Sequence, residues 1–448
     1  MHLRPLPFLI VGIIAASAMA CGSSHGTLFA ASGTGGSAAQ GTGGGSGAGT
    51  TGSGGTASTG SGTAGSTSSS GTTTSSSTSG GWVEGPFPPP PQVVSGGGPV
   101  LTAPELYPVF FSNDDAATVA SLADFTMNVG GTPYWTAATS EYGVGAATGH
   151  AAIKLAEAAP AAITDAQIQQ WLATKFATAG SGFPAPTAST LIVLYYPTGT
   201  SITLQNVSSC VAGGFGGYHS SAAINGQQIA YAVVPRCGNL DSTTGDASHE
   251  LVEAATDAHP LVDPAYVHVD DGDVYWQLLL GGGEVGDMCA QFPNVFTKFA
   301  PFNYTVQRTW SNKAAAAGHD PCVPQLPGEV YFNAAPVLPD LFAWNIQGQT
   351  AMIKSVSIPV GGTKTIPIQL FSDGPIGPWT VTVTDPAVML GAPSALLDLS
   401  LDKSTGKNGD TLQLTIKVLG AGTGNAEVFI VKSTLGATHF DWFAAVSN

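Results

Sequence analysis

The chain has 448 residues, with 29 acidic against 13 basic side chains and a formal net charge of −16. No cluster of Lys and Arg occurs, which excludes nucleic acid and anionic membrane surfaces as electrostatic partners. Charged residues make up only 9% of the chain. A surface that relies instead on Ser, Thr, Asn, Gln and Gly suits an extracytoplasmic protein.

Residues 1–21 are predicted to be an export signal that ends in a lipobox-like Cys21. A weakly basic start at Arg4 is followed by an apolar core over 8–16 that is too short to span a bilayer. The small residues before Cys21 predict that this cysteine is lipidated and becomes a membrane anchor. The alternative is simple secretion with Cys21 free, because Ala18 stands where Leu is usual.

Residues 22–95 are predicted to be a disordered tether. As far as residue 81 the chain is almost wholly Gly, Ser, Thr and Ala, which cannot form a core. The proline run over 86–91 then stiffens the approach to the folded part. Two domains follow in our division of the chain, at 96–325 and 326–448.

The 96–325 domain is predicted to be α+β. Apolar runs over 107–111, 189–196 and 229–234 are typical of buried strands. A capping box at Thr164 predicts a structural helix. The segment between the last two strands is assigned to a loop, and its His219 to an ordinary hydrogen bond rather than to a ligand role.

The stretch from Ser248 to Asp257 carries the chemistry of this domain. At 3.6 residues per turn, one arc of the helix is polar and the opposite side is small and apolar. A capping pattern at Thr243 and Asp246 is predicted to start this helix, and Asp257 and the following prolines to end it. The polar arc comprises His249, Glu250, Glu253, Thr256 and Asp257.

The H-E-x-x-E pattern within this stretch predicts a metal site. His249 and Glu253 are one turn apart and can hold a single Zn²⁺ through an imidazole nitrogen and a carboxylate oxygen. Glu250 is then the general base toward water. The alternative is a helix with a polar outer face that binds nothing.

A glycine-rich loop supplies the candidates for a third ligand. Gly281 to Gly286 matches G-x-G-x-x-G, but Glu284 and Asp287 would repel a pyrophosphate and no helix pattern follows. We therefore reject dinucleotide binding and interpret the segment as a ligand loop. Glu284 or Asp287 is predicted to complete the metal site or to support its ligands.

Two further residues rank lower as metal ligands. His259 lies ten residues after His249, the spacing of the third metzincin ligand, but Thr256 replaces the glycine that lets the chain turn there. Asp257 is the other lower candidate.

A calcium site is the weaker metal hypothesis. Asp270, Asp271 and Asp273 are acidic enough to bind Ca²⁺ but lack the order of an EF-hand loop. We expect a solvated turn there.

Four cysteines lie in the folded part, at Cys210, Cys237, Cys289 and Cys322. They allow three disulfide connectivities, and no C-x-x-C pair suggests a thiolate metal site. Sequential pairing closes the two shortest non-overlapping loops and is preferred, while the other two connectivities stay open.

The 326–448 segment is predicted to be an all-β sandwich of immunoglobulin-like size. It contains no catalytic cluster, so a spacer or binding role is expected. Its seven predicted strands alternate apolar with polar residues and are separated by turn residues: 355–360, 365–370, 379–383, 397–401, 412–418, 426–431 and 440–446.

Several motifs over about 97–325 occur in the order found in EXORDIUM-like (phosphate-induced) secreted proteins and their bacterial relatives, which this part of the chain resembles. The resemblance implies an extracellular location and a zincin-like helix carrying His249 and Glu250. The chain departs from the family after Asp257, where Ala258-His259-Pro260 stands in place of a proline. The motifs are 97–102, 134–142, 248–257, 284–289 and 306–311.

Taken together, the sequence predicts a zincin-like domain followed by the sandwich, acting as a zinc-dependent hydrolase of a peptide or cell-wall substrate, or as a degenerate relative of one. The main alternative is a non-catalytic surface lipoprotein with a structural His and Glu network, whose sandwich binds a wall polymer or partner. A calcium-stabilised adhesion module is the third hypothesis.

Overall fold

The computed structural model describes residues 82–346 and 349–448, which belong to one compact unit built mostly of strands with few helices. The predictions for Cys21 and for the tether up to residue 81 lie outside the described residues. Among the helices that are described, none is both long and apolar enough to cross a membrane.

From residue 82 to the sandwich, the structure describes six α-helices and fifteen strands. The helices are α1 Ala116–Val129, α2 Pro133–Thr139, α3 Asp165–Ala177, α4 Leu240–Thr256, α5 Tyr275–Leu280 and α6 Asn312–Ala316. The strands are β1 Val93–Val94, β2 Glu105–Phe110, β3 Thr148–Gly149, β4 Ile153–Lys154, β5 Ala162–Thr164, β6 Thr190–Tyr196, β7 Ser201–Leu204, β8 Val207–Ser208, β9 Tyr218–Ile224, β10 Gln227–Pro235, β11 His268–Val269, β12 Phe296–Lys298, β13 Thr305–Gln307, β14 Thr309–Trp310 and β15 Cys322–Val323.

A mixed sheet with strand order β3-β2-β6-β10-β9 organises this part, and β4 also pairs with β2. Strand β9 is the antiparallel edge, whereas the other pairings are parallel. Strand β6 is buried along its whole length because both faces of the sheet are covered. Val193 and Tyr195 face the core shared with α1, α2 and α4, while Ile192 and Leu194 face α3.

Helix α4 is the central element, and the structure corrects two expectations about it. It begins at Leu240, because the Asn239 side chain accepts a hydrogen bond from Ser242 N at 3.0 Å and caps it. The predicted start at Thr243 and Asp246 is therefore wrong. Every residue from 243 to 256 is buried, so this part of the helix has no solvent-facing polar side. It packs against β9, β10 and β13, and its polar arc faces the interior.

The last part of the predicted tether is folded, so the boundary at residue 95 is wrong. Strand β1 pairs with β11, and Phe87 stacks on Phe371 at a ring distance of 4.6 Å. Gly85 N donates to Asn408 Oδ1 at 2.7 Å. Phe87 of the proline run packs against the apolar core, and the buried Val93 beyond the run belongs to that core.

The C-terminal segment consists of two sheets that share one apolar core. One sheet has the order β16-β19-β23-β21, and the other has the order β17-β18-β25-β24-β20-β22. The strands are β16 Phe332–Pro336, β17 Asp340–Ile346, β18 Gln349–Ser357, β19 Thr363–Ser372, β20 Trp379–Thr384, β21 Leu397–Leu401, β22 Thr405–Gly406, β23 Thr411–Val418, β24 Ala426–Leu435 and β25 Thr438–Ser447.

Each of the seven predicted sandwich strands overlaps a strand of the structure, and β21 has the predicted bounds. Sequence analysis missed β16, β17 and β22. Strand β16 contains Ala and Pro, which have low strand propensity, and β22 has only two residues.

The sandwich packs against the N-terminal part through α5. Trp276 meets Trp442 and Phe443 at ring distances of 5.5 and 4.8 Å. Beside this contact, Lys354 Nζ lies 2.5 Å from Asp273 Oδ2. Asp273 is buried, which corrects the expected solvated turn.

Carboxylates of the acidic stretch around Asp273 have partners within the protein. The Asp273 carboxylate accepts from Lys354 and Tyr275, and Asp270 accepts from Gln92 N. In the described part of the chain, the potential ligand atoms that converge within 4.8 Å of one another belong to other residues.

Two disulfides join Cys210 to Cys237 and Cys289 to Cys322. This is the sequential pairing preferred from the sequence. Disulfides persist in oxidising compartments, so both are compatible with an extracytoplasmic protein.

The free energy of unfolding of the protein should depend on pH through Asp273, the partner of Lys354. Burial, with a smaller contribution from Asp270, raises the pKa of Asp273 from 3.8 to about 6. The folded state therefore binds more protons than the unfolded state between these values, and this carboxyl lowers the free energy of unfolding as pH rises from about 4 to 6. The Asp273→Asn variant should lack this pH-dependent decrease in the free energy of unfolding, which amounts to at most about 3 kcal/mol in wild type.

Urea unfolding of wild type and Asp273→Asn at pH 4, 5, 6 and 7 measures the difference. Asp271→Asn, at the exposed neighbour, is the control for the removal of a nearby carboxylate. Parallel curves for wild type and Asp273→Asn would contradict the expectation.

Candidate metal centre

His219 lies at the centre of the buried polar cluster, although sequence analysis assigned it to a loop. It is the second residue of β9 and is 0% exposed. Successive side chains of a strand point to opposite faces. Tyr218 packs in the core beneath α3, so His219 faces α4.

Helix α4 brings two more donors to the same point. His249 and Glu253 are on consecutive turns, with His249 Nε2 at 3.0 Å from Glu253 Oε2. His219 Nε2 lies 3.8 Å from that same oxygen and 3.1 Å from both carboxylate oxygens of Glu284. Ligands of a tetrahedral zinc ion lie about 3.3 Å apart. Glu253 belongs to two groups whose potential ligand atoms lie within 4.8 Å of one another, one with His219 and Glu284 and the other with His249 and Glu250.

The glycine-rich loop holds Glu253 in place through its backbone. The N–H groups of Gly286 and Asp287 donate to Glu253 Oε1 at 3.0 and 3.1 Å. The other oxygen, Oε2, is thereby turned toward the two imidazoles. Asp287 Oδ1 lies 3.8 Å from His249 Nε2. The loop thus brings both predicted acidic residues to the cluster, with Glu284 beside His219.

Two glycines allow this close packing. A Cβ at Gly286 would lie 2.6 Å from His249 Nδ1 and 2.7 Å from Glu253 Oε1. A Cβ at Gly217 would lie 2.6 Å from Glu250 Oε1. Larger residues would push the ligand side chains away, so the backbone itself forms part of the wall of the site.

The predicted general base is part of the cluster. Glu250 is 1% exposed, and one of its oxygens lies within 4.8 Å of ligand atoms of His249 and Glu253. Its Oε1 has no hydrogen-bond partner among the residues that the structure describes.

The two lower-ranked candidates differ in position. Asp257 is buried beside Glu284, and its Oδ1 accepts from Ala265 N at 2.7 Å. His259 is half-buried, with Nδ1 at 2.6 Å from Ala258 O. It belongs to neither group of converging ligand atoms found in the described chain.

The carboxyls of the cluster are poorly compensated. Burial raises the pKa of Glu250, Glu284 and Asp287 well above their usual ranges, and that of Asp257 to about 7. Burial also raises the pKa of Glu253, but the neighbouring His249 and the other donors outweigh it, and the net shift is downward.

No Lys or Arg ion pair compensates them in the part of the chain that the structure describes. Burial lowers the pKa of His219 to about 4, so this imidazole is neutral near pH 7. The ion pairs of Lys and Arg there involve other carboxylates. The cluster is therefore stable with protons on its carboxyls or with a cation among them.

The donor set fits a divalent transition metal ion. Imidazole nitrogen and carboxylate oxygen are ligands that zinc accepts. A double positive charge would offset buried carboxylates that protons otherwise neutralise, so the buried His and Glu groups can hold such an ion.

Comparisons with known proteins do not identify the chain. No known family and no curated protein matches it. The titin M3 domain is 14% identical over 21% of this chain and 85% of that chain, with a TM-score of 0.14. A chimeric titin Z1Z2 is 18% identical over 21% and 83%, and a protein of unknown function from Porphyromonas gingivalis W83 is 10% identical over 35% and 82%, both with a TM-score of 0.14. Similarities this low assign neither a family nor a function to the chain.

Sequence analysis missed His219 and Gln307 as members of the site. The run from His219 to Ile224 reads His-Ser-Ser-Ala-Ala-Ile and does not alternate apolar with polar residues. The sequence therefore carries no period-2 signal for a strand at His219.

The close approach of Gly286 can be tested by substitution. Gly286→Ala should force His249 or Glu253 to move and should cost about 1 to 3 kcal/mol of unfolding free energy, as overpacking does. Gly377→Ala is the matched control, because a Cβ there meets nothing within 4 Å. Urea unfolding of both variants measures the difference, and equal stability of the two would exclude the tight contact.

Proposed function

We propose that the protein binds Zn²⁺ through His219, His249, Glu253 and Glu284. The observation that carries the proposal is the approach of both imidazoles to Glu253 Oε2, which lies 3.0 Å from His249 Nε2 and 3.8 Å from His219 Nε2, together with the 3.1 Å contact of His219 Nε2 with Glu284. His219 replaces Asp287 in the ligand set expected from the sequence, and Asp287 supports the set from beside His249.

The burial of the donors favours a closed centre. Each of the four side chains is at most 2% exposed. Four protein ligands and no open position are typical of a structural zinc site. An ion bound only by the folded state stabilises that state, because binding free energy becomes folding free energy.

Zinc-dependent hydrolysis of a peptide bond is the second candidate function. It is favoured by Glu250, whose partnerless oxygen lies beside the ligands. Zinc, when bound, supplies Lewis-acid polarisation of a carbonyl. Glu250 would accept a proton from water and pass it to the leaving amine. The loop over 281–289 would have to move to admit a substrate, because the donors are buried.

A zincin-like assignment of the first domain belongs to this second candidate. It is supported by helix α4 packed against a mixed sheet with an antiparallel edge strand, and by the resemblance to EXORDIUM-like secreted proteins. The rival is a non-catalytic surface protein in which the same His and Glu side chains form a structural network without metal.

We also propose that the protein is exported and anchored by a lipid on Cys21. The lipobox-like sequence before this cysteine supports the anchor, and the two disulfides support an oxidising compartment.

Four variants test the metal centre and separate the candidates. His249→Ala removes a ligand, so zinc content should fall together with stability. Glu250→Gln leaves the ligands intact, so zinc should remain, while any peptidase turnover should drop by about 10² or more. Glu253→Ala should resemble His249→Ala, whereas Glu253→His rebuilds H-E-x-x-H and should hold zinc where an imidazole fits.

Zinc content by elemental analysis and melting temperature are the measurements for these variants. A wild type that contains no zinc and takes up none when it is offered would overturn the proposal and leave the network without metal. Zinc that remains bound in all four variants would place the ion elsewhere.

The anchor has its own test. Cys21→Ser removes the thiol that would be lipidated, so the protein should move from the membrane fraction to the soluble fraction. Immunoblots of fractionated cells measure the distribution. Unchanged membrane retention would contradict a lipid anchor at this position.

A further inference from the structure

Gln307 lies directly behind His249, at the end of β13, and is 0% exposed. Its Oε1 is 3.0 Å from His249 Nδ1, and its Nε2 donates to Gly286 O at 2.7 Å. Its backbone N donates to Ser248 Oγ at 2.7 Å, and its carbonyl accepts from Tyr134 OH at 2.8 Å. Both ends of the side-chain amide therefore contact the proposed centre.

The contact with Gly286 fixes which way the amide points. A backbone carbonyl can only accept, so the NH₂ group must face Gly286 O and the oxygen must face His249 Nδ1. An amide oxygen can only accept, so Nδ1 must carry a proton and donate it. In the neutral imidazole this leaves the lone pair on Nε2, the nitrogen that faces Glu253 Oε2.

The same amide also reaches Glu253 through one peptide unit. The carbonyl of Gly286 and the N–H of Asp287 belong to that unit. The carbonyl accepts from Gln307 Nε2, and the N–H donates to Glu253 Oε1 at 3.1 Å. Hydrogen bonds in such a chain polarise one another. One glutamine is thus linked to both ligands that α4 provides.

We infer that Gln307 is a positioning residue of the metal centre, which sets the Nδ1–H tautomer of His249 and holds the Gly286–Asp287 peptide against Glu253. The inference rests on the proposed zinc site. It assigns Gln307 no contact with the ion, because its polar atoms are used by His249 and Gly286.

Two substitutions separate these roles. Gln307→Met keeps the volume of the side chain but removes both hydrogen bonds. Gln307→Glu keeps an acceptor for His249 Nδ1–H but places a carboxylate oxygen against Gly286 O. Zinc affinity should fall by about 10- to 100-fold in Gln307→Met, as for other residues that orient a ligand. The hydrogen bond to Gln307 should give His249 Nδ1–H a slowly exchanging resonance. This resonance should disappear in Gln307→Met and persist in Gln307→Glu.

Asn333→Leu is the matched control. It removes a buried amide of the sandwich that donates to Tyr331 OH. This variant should lose stability but keep wild-type zinc affinity and the His249 resonance. The measurements are competitive zinc titration and histidine NMR on the full chain, each with and without zinc, after urea unfolding has shown that the variants fold.

Folded Gln307→Met that binds zinc within twofold of wild type, or that keeps the Nδ1–H resonance, would overturn the inference. A wild type without zinc affinity would overturn the proposed site instead. In that case the resonance in the metal-free protein still decides whether Gln307 sets the tautomer.

Discussion

The structure depends on how negative charge is compensated along the buried arc of α4. Carboxyls from this helix and from the following loop meet two imidazoles where water is excluded, and no Lys or Arg ion pair described in the structure reaches them. Desolvation makes such charges costly unless protons, hydrogen-bond donors or a cation neutralise them. The sheet, the loop and β13 each supply part of that compensation.

Backbone groups hold several side chains of the site in position. Glu253 is held by two amide N–H groups, and Gly286 lies so close to His249 and Glu253 that a side chain there would displace them. A loop in this role must be fixed at its ends. The disulfide from Cys289 to Cys322 fixes the C-terminal end of the loop, and the hydrogen bond from Trp310 N to Val285 O fixes its middle.

The sandwich packs directly against the N-terminal domain. Trp276 of α5 packs on two aromatic residues of β25, and residues 85 to 95 run along both parts. Helix α5 ends just before the glycine-rich loop. The same packing that attaches the sandwich therefore also supports the loop that faces the buried His and Glu cluster.

The sequence by itself determined the local features of this protein. Helical spacing placed His249, Glu250 and Glu253 on one arc, and alternation located the sandwich strands, because both depend on neighbours within a few residues. Only the tertiary structure decided the rest of the site. Glu284 and Gln307 reach their histidines across 65 and 58 residues of sequence. His219 faces α4 because of the pleat and pairing of β9, and no local pattern records which face of a strand will meet a distant helix.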